Sequence, residues 1–231
     1  MRAQAPSARI LYLTKAFVPE KRVEGSSEQP GISDERLVRA VAEENAGQAR
    51  KSKVLMDGEQ IGRTLARMTH EIAEQVPDLD NLVLVGIRSR GVELAARLAS
   101  LFGSFYSVAP PTGAIDITFY RDDIDTRSTA MPHGQPVVHS TDLPFDVNGK
   151  TIVLVDDVLY TGRTIRAAID ALFDYGRPLS VRLAVLVDRG HRDLPIRPDF
   201  VGKNLPTSRT EQVTLRLVET DGVDEVVIEG E

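Results

Sequence analysis

The chain contains no cysteine and no tryptophan. Without cysteine, disulfides, thiolate metal ligands and thiol nucleophiles are excluded, while the redox compartment stays open. Aromatic residues make up only 5% of the 231 positions, and lysine occurs six times. No apolar run approaches the roughly 20 residues that cross a bilayer, and the start has no signal-peptide pattern, so the expected location is cytoplasmic, with no membrane partner. Positive charge is also scarce, with 28 Lys and Arg against 34 Asp and Glu, a net of −6. Eight of the basic and seven of the acidic side chains lie in residues 1–50, leaving 20 against 27, a net of −7, for residues 51–231. Such a core does not attract nucleic acid as a whole, so RNA binding would need a local basic patch.

An apolar content of 42% fits one globular domain. Residues 1–50, with Pro6, Pro19, Pro30 and a Gly25-Ser26-Ser27 run, read as a weakly ordered extension. Within it, residues 10–13 are a possible strand and 33–45 a possible helix. The domain is placed at residues 51–231, with its core starting near Val54. Ile61, Leu65, Met68, Ile72 and Val76 recur at helical spacing over residues 60–76. Residues 82–87 read as a buried strand, followed by a helix through Leu94, Leu98 and Leu101. Residues 115–120 read as a strand. Residues 122–149 are a long polar connection of the length usually found where a loop serves function. Residues 181–187 form a further strand, and residues 213–228 a hairpin around Asp221-Gly222. Strands alternating with helices predict an α/β fold, a mostly parallel sheet with helices on both faces.

The richest stretch is residues 151–168, T-I-V-L-V-D-D-V-L-Y-T-G-R-T-I-R-A-A. An apolar strand ends in Asp156 and Asp157, and Thr161-Gly162-Arg163-Thr164 then opens an amphipathic helix. Backbone N–H groups and hydroxyls at such a helix start suit a phosphate, which the helix dipole also favours. Carboxylates at the C-terminal end of a central strand lie where open α/β sheets bind ligands, and accept hydrogen bonds from sugar hydroxyls. An apolar strand ending in an acidic pair also occurs in receiver domains and phosphatases. The T-G-R-T continuation separates this chain from them, and the whole resembles the 5-phosphoribosyl-1-diphosphate (PRPP) motif of type I phosphoribosyltransferases.

Two other loops leave strands into helices or turns. Gly86-Ile87-Arg88-Ser89-Arg90-Gly91 reads either as a diphosphate-binding loop or as an ordinary turn with solvated arginines. Val187, Asp188 and Arg189 end a strand next to the motif strand, the place for a nucleobase, and open a loop containing His191, Arg192 and Arg197 that is otherwise a charged surface. Taken together, D-I-T-F-Y-R-D-D, V-L-V-D-D-V-L-Y-T-G-R-T, V-L-V-D-R-G-H-R-D-L-P-I-R and V-G-K-N-L-P-T-S resemble the PyrR family, pyrimidine-operon regulators that are also uracil phosphoribosyltransferases. The likeness runs from about residue 54 to the end, roughly three quarters of the chain.

That resemblance implies a type I phosphoribosyltransferase fold with a long loop over the site and a small C-terminal hood. It implies the reaction of uracil with PRPP to give UMP and diphosphate, with Mg²⁺ held mainly through PRPP and no dedicated protein metal ligands. The PRPP contacts carried over are Ser89, Arg90, Asp156, Asp157, Val158, Leu159, Tyr160, Thr161, Gly162, Arg163 and Thr164. Asp156, Asp157 and Arg121 are the catalytic set, and Val187, Asp188 and Arg189 the nucleobase set. A second implied activity is binding of pyr leader mRNA with UMP and UTP as effectors, through Arg67, His70, His191, Arg192, Arg197 and Lys203. One departure is Ala66, where the family pattern has a threonine. A homodimer or higher homo-oligomer is expected. Two classes remain: a regulator that is also an enzyme, and a salvage phosphoribosyltransferase without RNA regulation.

Overall fold

A first helix, α1 (Gly58–Gln75), follows strand β1 (Lys51–Asp57) without a break. Asp57 makes the transition: its carboxylate accepts from the Gln60 amide at 2.8 Å, while the Gln60 side chain accepts from the Asp57 amide at 3.0 Å. This capping box satisfies two N–H groups that a helix start leaves open. Ile61, Leu65, Met68 and Ile72 then fall on one buried face, as their spacing predicts. The structure, a computed structural model, describes residues 51–120 and 140–230. The readings at residues 10–13 and 33–45, Arg121 and most of the long connection lie outside them.

The main sheet has five parallel strands in the order β3-β2-β4-β5-β6: β2 (Leu82–Ile87), β3 (Thr112–Ile115), β4 (Thr151–Leu159), β5 (Ser180–Asp188) and β6 (Phe200–Asn204). Every residue of β2 is buried, as expected for a strand covered on both faces. One apolar cluster gathers α1, α2 (Arg90–Tyr106) and one sheet face; the other packs α3 (Arg163–Phe173) on the opposite face. The type I phosphoribosyltransferase architecture expected from the motifs is present.

A second, three-stranded antiparallel sheet orders β1-β8-β7, with β7 (Gln212–Arg216) and β8 (Glu225–Gly230). The predicted C-terminal pairing therefore holds, but its connection is a short helix, α4 (Val218–Asp221), closed by Gly222 at φ +76. Arg97 of α2 donates to both Glu219 and Asp224, at 2.6 to 3.0 Å, and ties this hood to the main layer.

The expected strand over residues 115–120 is overturned. Strand β3 ends at Ile115, and Thr118–Tyr120 forms a 3₁₀ turn. The Asp116 carboxylate accepts from the Thr118 amide at 2.8 Å and from its hydroxyl at 2.5 Å, a local bond that competes with strand pairing. No helix among the described residues is long and apolar enough to cross a membrane.

Candidate active site

Strands β2 and β4 are adjacent and parallel, so the loops that leave their carboxyl ends meet. They meet closely because two glycines lie at the crossing. A Cβ on Gly91 would stand 2.4 Å from the Val155 carbonyl oxygen, and one on Gly86 2.4 Å from the Gly91 oxygen. The Arg88–Ser89 peptide between them is cis. The result is an open pocket of about 430 Å³ lined by Arg88, Ser89 and Arg90 from one loop, Asp156, Asp157, Val158 and Thr164 from the other, and Asp116 to Thr118.

Within this pocket the two central carboxylates differ. Asp156 is buried and Asp157 is half-buried. Burial pushes the Asp156 carboxyl well above the usual carboxylate range, and the neighbouring Asp157 charge adds to the rise. Each accepts a backbone N–H, Asp156 from Asp157 at 3.0 Å and Asp157 from Val158 at 2.8 Å. Facing them, α3 starts at Gly162 in the left-handed region, φ +91, with no side-chain cap. An uncapped first turn leaves N–H donors for an anion. Thr161 Oγ1 lies 3.4 Å from the Arg163 amide, and Thr164 reaches the pocket wall.

The two loop arginines have different surroundings. Arg90 is committed to the hood, its Nε and Nη2 on the Asp221 carboxylate at 3.2 and 2.9 Å. Arg88 donates through Nη2 to the Ser140 carbonyl at 3.1 Å, and its buried Nε has no partner among the described residues. Buried donors are rarely left unpaired, so this nitrogen can take a ligand oxygen. Arg88 enters the sequence reading only as part of the 86–91 loop, and Asp116, which also lines the pocket, is not singled out there. The available signal at Asp116 was a lone carboxylate between Ile115 and Ile117 in a run otherwise suited to a buried strand.

On the other flank β4 and β5 are in register, with Val158 opposite Val187 and Leu159 opposite Asp188. The end of β5 is thus beside the motif strand, as expected. Arg189 is buried; it donates to Thr207, Ser208 and Glu211 oxygens and lies 4.3 Å over the Tyr160 ring. Its amide is taken by the Leu159 carbonyl, and the Asp188 carbonyl by the Leu205 amide. His191, at φ +61, holds the Thr207 carbonyl at 2.6 Å. Arg192 turns inward, onto Asp188 at 2.5 Å and the Tyr160, Gly190 and Ile196 carbonyls. Arg197 is exposed.

The remaining basic residues lie elsewhere. Arg67 and Lys203 line a second open groove together with Arg63, Thr64 and Gly202. Arg67 pairs with Glu71 and donates to the Val201 and Gly202 carbonyls at 3.0 and 2.6 Å, and Lys203 donates to the Leu55 carbonyl at 3.2 Å. His70 is on the same helix, one turn further on.

Comparison with known proteins agrees with this geometry. Residues 52–215 match the family described as phosphoribosyl transferase domain. The bifunctional protein PyrR of Chloroflexus aurantiacus is 58% identical over 176 residues, covering 76% of this chain and 94% of that protein. The bifunctional protein PyrR of Halalkalibacterium halodurans is 51% identical over 178 residues, covering 77% and 97%. Among solved structures, the hypoxanthine phosphoribosyltransferase of Trypanosoma cruzi matches with a TM-score of 0.58 at 21% identity, over 78% of this chain and 97% of that one, a likeness of fold alone. With more than half its aligned residues identical across nearly the whole length of those relatives, the chain belongs to the PyrR family of phosphoribosyltransferases.

Proposed function

We propose that the chain converts uracil and PRPP to UMP and diphosphate, and that it regulates pyrimidine genes by UMP-dependent binding of pyr leader mRNA. The observation that carries the enzymatic half is the Asp156–Asp157 pair across one pocket from the uncapped start of α3 and beside the Arg88–Gly91 loop.

Substitution at the ribose anomeric carbon forms a bond to the uracil ring nitrogen, whose N–H proton passes to the departing diphosphate, and breaks the bond to the diphosphate oxygen. Positive charge builds on the sugar and negative charge on the leaving group. Asp156 and Asp157 hold the ribose hydroxyls and favour the sugar charge. The turn from Tyr160 to Thr164 holds the 5′-phosphate, and Ser89 with the unpaired Arg88 Nε takes the diphosphate. Arg90, bound to Asp221, shapes that loop. Uracil lies beside the Val187–Arg189 strand end, which the Arg189–Tyr160 contact keeps rigid. Positioning and preorganised charge supply the rate, without a covalent nucleophile.

The described residues contain no cluster of three or more His, Asp or Glu able to cage a metal. The oxygen donors that line the pocket, Asp116, Asp156 and Asp157, suit Mg²⁺ held largely by substrate phosphates, since that ion commonly uses one or two carboxylates with phosphate oxygens. When bound, it neutralises charge on the diphosphate. Purified protein should release diphosphate from PRPP only when uracil is supplied. Release that ignores uracil would overturn the assignment.

Residues 1–50 are proposed to be dispensable for this reaction. A chain beginning at residue 51 should keep uracil turnover within about twofold of the full chain, because the capping box and the β1–β8 pairing lie wholly inside it. An insoluble or inactive truncation would make the extension structural.

The regulatory half rests on the family and on the groove that gathers Arg67 and Lys203. His70, His191, Arg192 and Arg197 belong to the same proposed set, with two copies of the chain presenting their faces to one RNA hairpin. Changing Arg67 and Arg197 to Ala should weaken leader-RNA binding and lower its salt slope by roughly one unit per lost phosphate contact. Uracil turnover should survive. A titration in varied salt beside the uracil assay decides; unchanged affinity and slope would favour the salvage enzyme without RNA regulation.

A further inference from the structure

Arg63, Arg67 and His70 fall within about 60° of one another around α1, at 100° per residue. Beside the first two, Thr64, Gly202 and Lys203 complete an open groove of about 360 Å³. It gathers three cationic side chains on a core whose net charge is −7. Arg63 and Arg67 pair along the helix with Glu59 and Glu71, but both pairs are exposed. Such pairs are weak and exchange readily for a phosphate.

At His70 the stripe changes character. The exposed imidazole stacks on Phe105 with centroids 4.7 Å apart and planes 20° from parallel. Its Nδ1 is 2.8 Å from the Tyr106 hydroxyl, and the Tyr106 ring meets it edge-on at 5.7 Å. Tyr106 packs in turn on the fully buried Phe102, so the imidazole is braced from the core. Phe105 keeps 45% of its surface in water, although it ends a helix whose apolar stripe, through Leu94, Leu98 and Phe102, is otherwise buried.

We infer that the Phe105–His70 stack is a platform for an unpaired base of bound RNA, with Arg63, Arg67 and Lys203 taking the flanking phosphates. The inference deepens the RNA reading above and rests on it. Flat, braced rings next to cations suit single-stranded RNA, whose splayed bases stack on aromatic side chains while its backbone follows positive charge. The adjoining cations, on an otherwise acidic core, favour a polyanion over a protein partner. Phe105 adds a stacking ring, and Arg63 a phosphate contact, to the basic residues read from the sequence.

The test uses the full chain with UMP and a stem-loop RNA from its own pyrimidine-operon leader, in which single unpaired purines are replaced by 2-aminopurine. Phe105→Leu should bind about tenfold more weakly with an unchanged salt slope, because stacking rather than charge is lost. It should abolish the stacking quench at one probe position, and Phe105→Tyr should restore both. Uracil turnover should be unaffected by either change. If Arg67→Ala weakens binding while Phe105→Leu matches wild type in affinity and quench, the platform is refuted and the RNA reading stands. If wild-type protein does not bind the RNA at all, both fall. Reduced assembly size in Phe105→Leu with RNA affinity intact would instead make this face a contact between copies of the chain, which also refutes the platform.

Discussion

Asp157→Asn is expected to cut uracil turnover by about 10²- to 10³-fold, the usual cost of removing one preorganised charge from a transition state. Its melting temperature should move by less than about 2 °C. The side chain accepts the Val158 amide at 2.8 Å, which an asparagine oxygen can also do. The companion variant separates charge from structure further. In the folded chain, burial raises the Asp156 pKa above its unfolded value, and the Asp157 charge adds to the rise. The stability that Asp156 contributes is therefore fully present below the ordinary aspartate range and is lost as pH rises through the raised folded value. At neutral pH the cost of burying this carboxyl's charge therefore opposes folding. Asp156→Asn should accordingly be inactive yet at least as stable as wild type at pH 7, with the advantage shrinking as pH falls. Thermal melts across that range, beside the uracil assay, read both effects. Wild-type turnover in Asp157→Asn with PRPP binding unchanged would remove the pair from the mechanism.

Gly91→Ala should lower unfolding free energy by about 3 kcal/mol and displace the Arg88–Gly91 loop. The added methyl would stand 2.4 Å from the Val155 carbonyl oxygen, a backbone atom in a central strand that has nowhere to retreat. Gly62→Ala is the control. That glycine is exposed within α1, with no heavy atom within 4 Å of where a Cβ would stand, so the change should stabilise by about 0.5–1 kcal/mol. Denaturant midpoints measure both. Equal midpoints would mean that the loop and strand part without cost.

What could be read in advance was local. The stripe from Ile61 to Ile72 announced α1, the unbroken apolar run announced β2, and D-D followed by T-G-R-T announced the turn from β4 into α3. What could not be read depends on partners distant in the chain. β1 became a strand because it pairs with β8, and that pairing joins the two ends of the described domain. β6 is a short edge strand, only one of whose residues, Phe200, is buried, too few for a recognisable pattern. Arg90 reads as a diphosphate ligand from its loop alone; that its guanidinium also pairs with Asp221, 131 positions away, is not visible in the loop. Arg192 reads from the sequence as an RNA-contact candidate in a charged loop; that it donates to three carbonyls and Asp188 is not visible there. Residues 115–120 carry strand-type residues, but the short-range bond from Asp116 to Thr118 outweighs that tendency.

The loop after β5 is fastened to the Tyr160–Thr164 turn at several points. The Asp193 and Leu194 amides both donate to the Thr161 carbonyl, at 3.0 and 3.1 Å, and Arg192 reaches the Tyr160 carbonyl at 2.8 Å. The two segments are therefore not separable modules. A graft that exchanged residues 189–197 for those of a relative would carry the geometry of the Tyr160–Thr164 turn with it. On the roles proposed above, selectivity for the base and grip on the sugar phosphate have to evolve together.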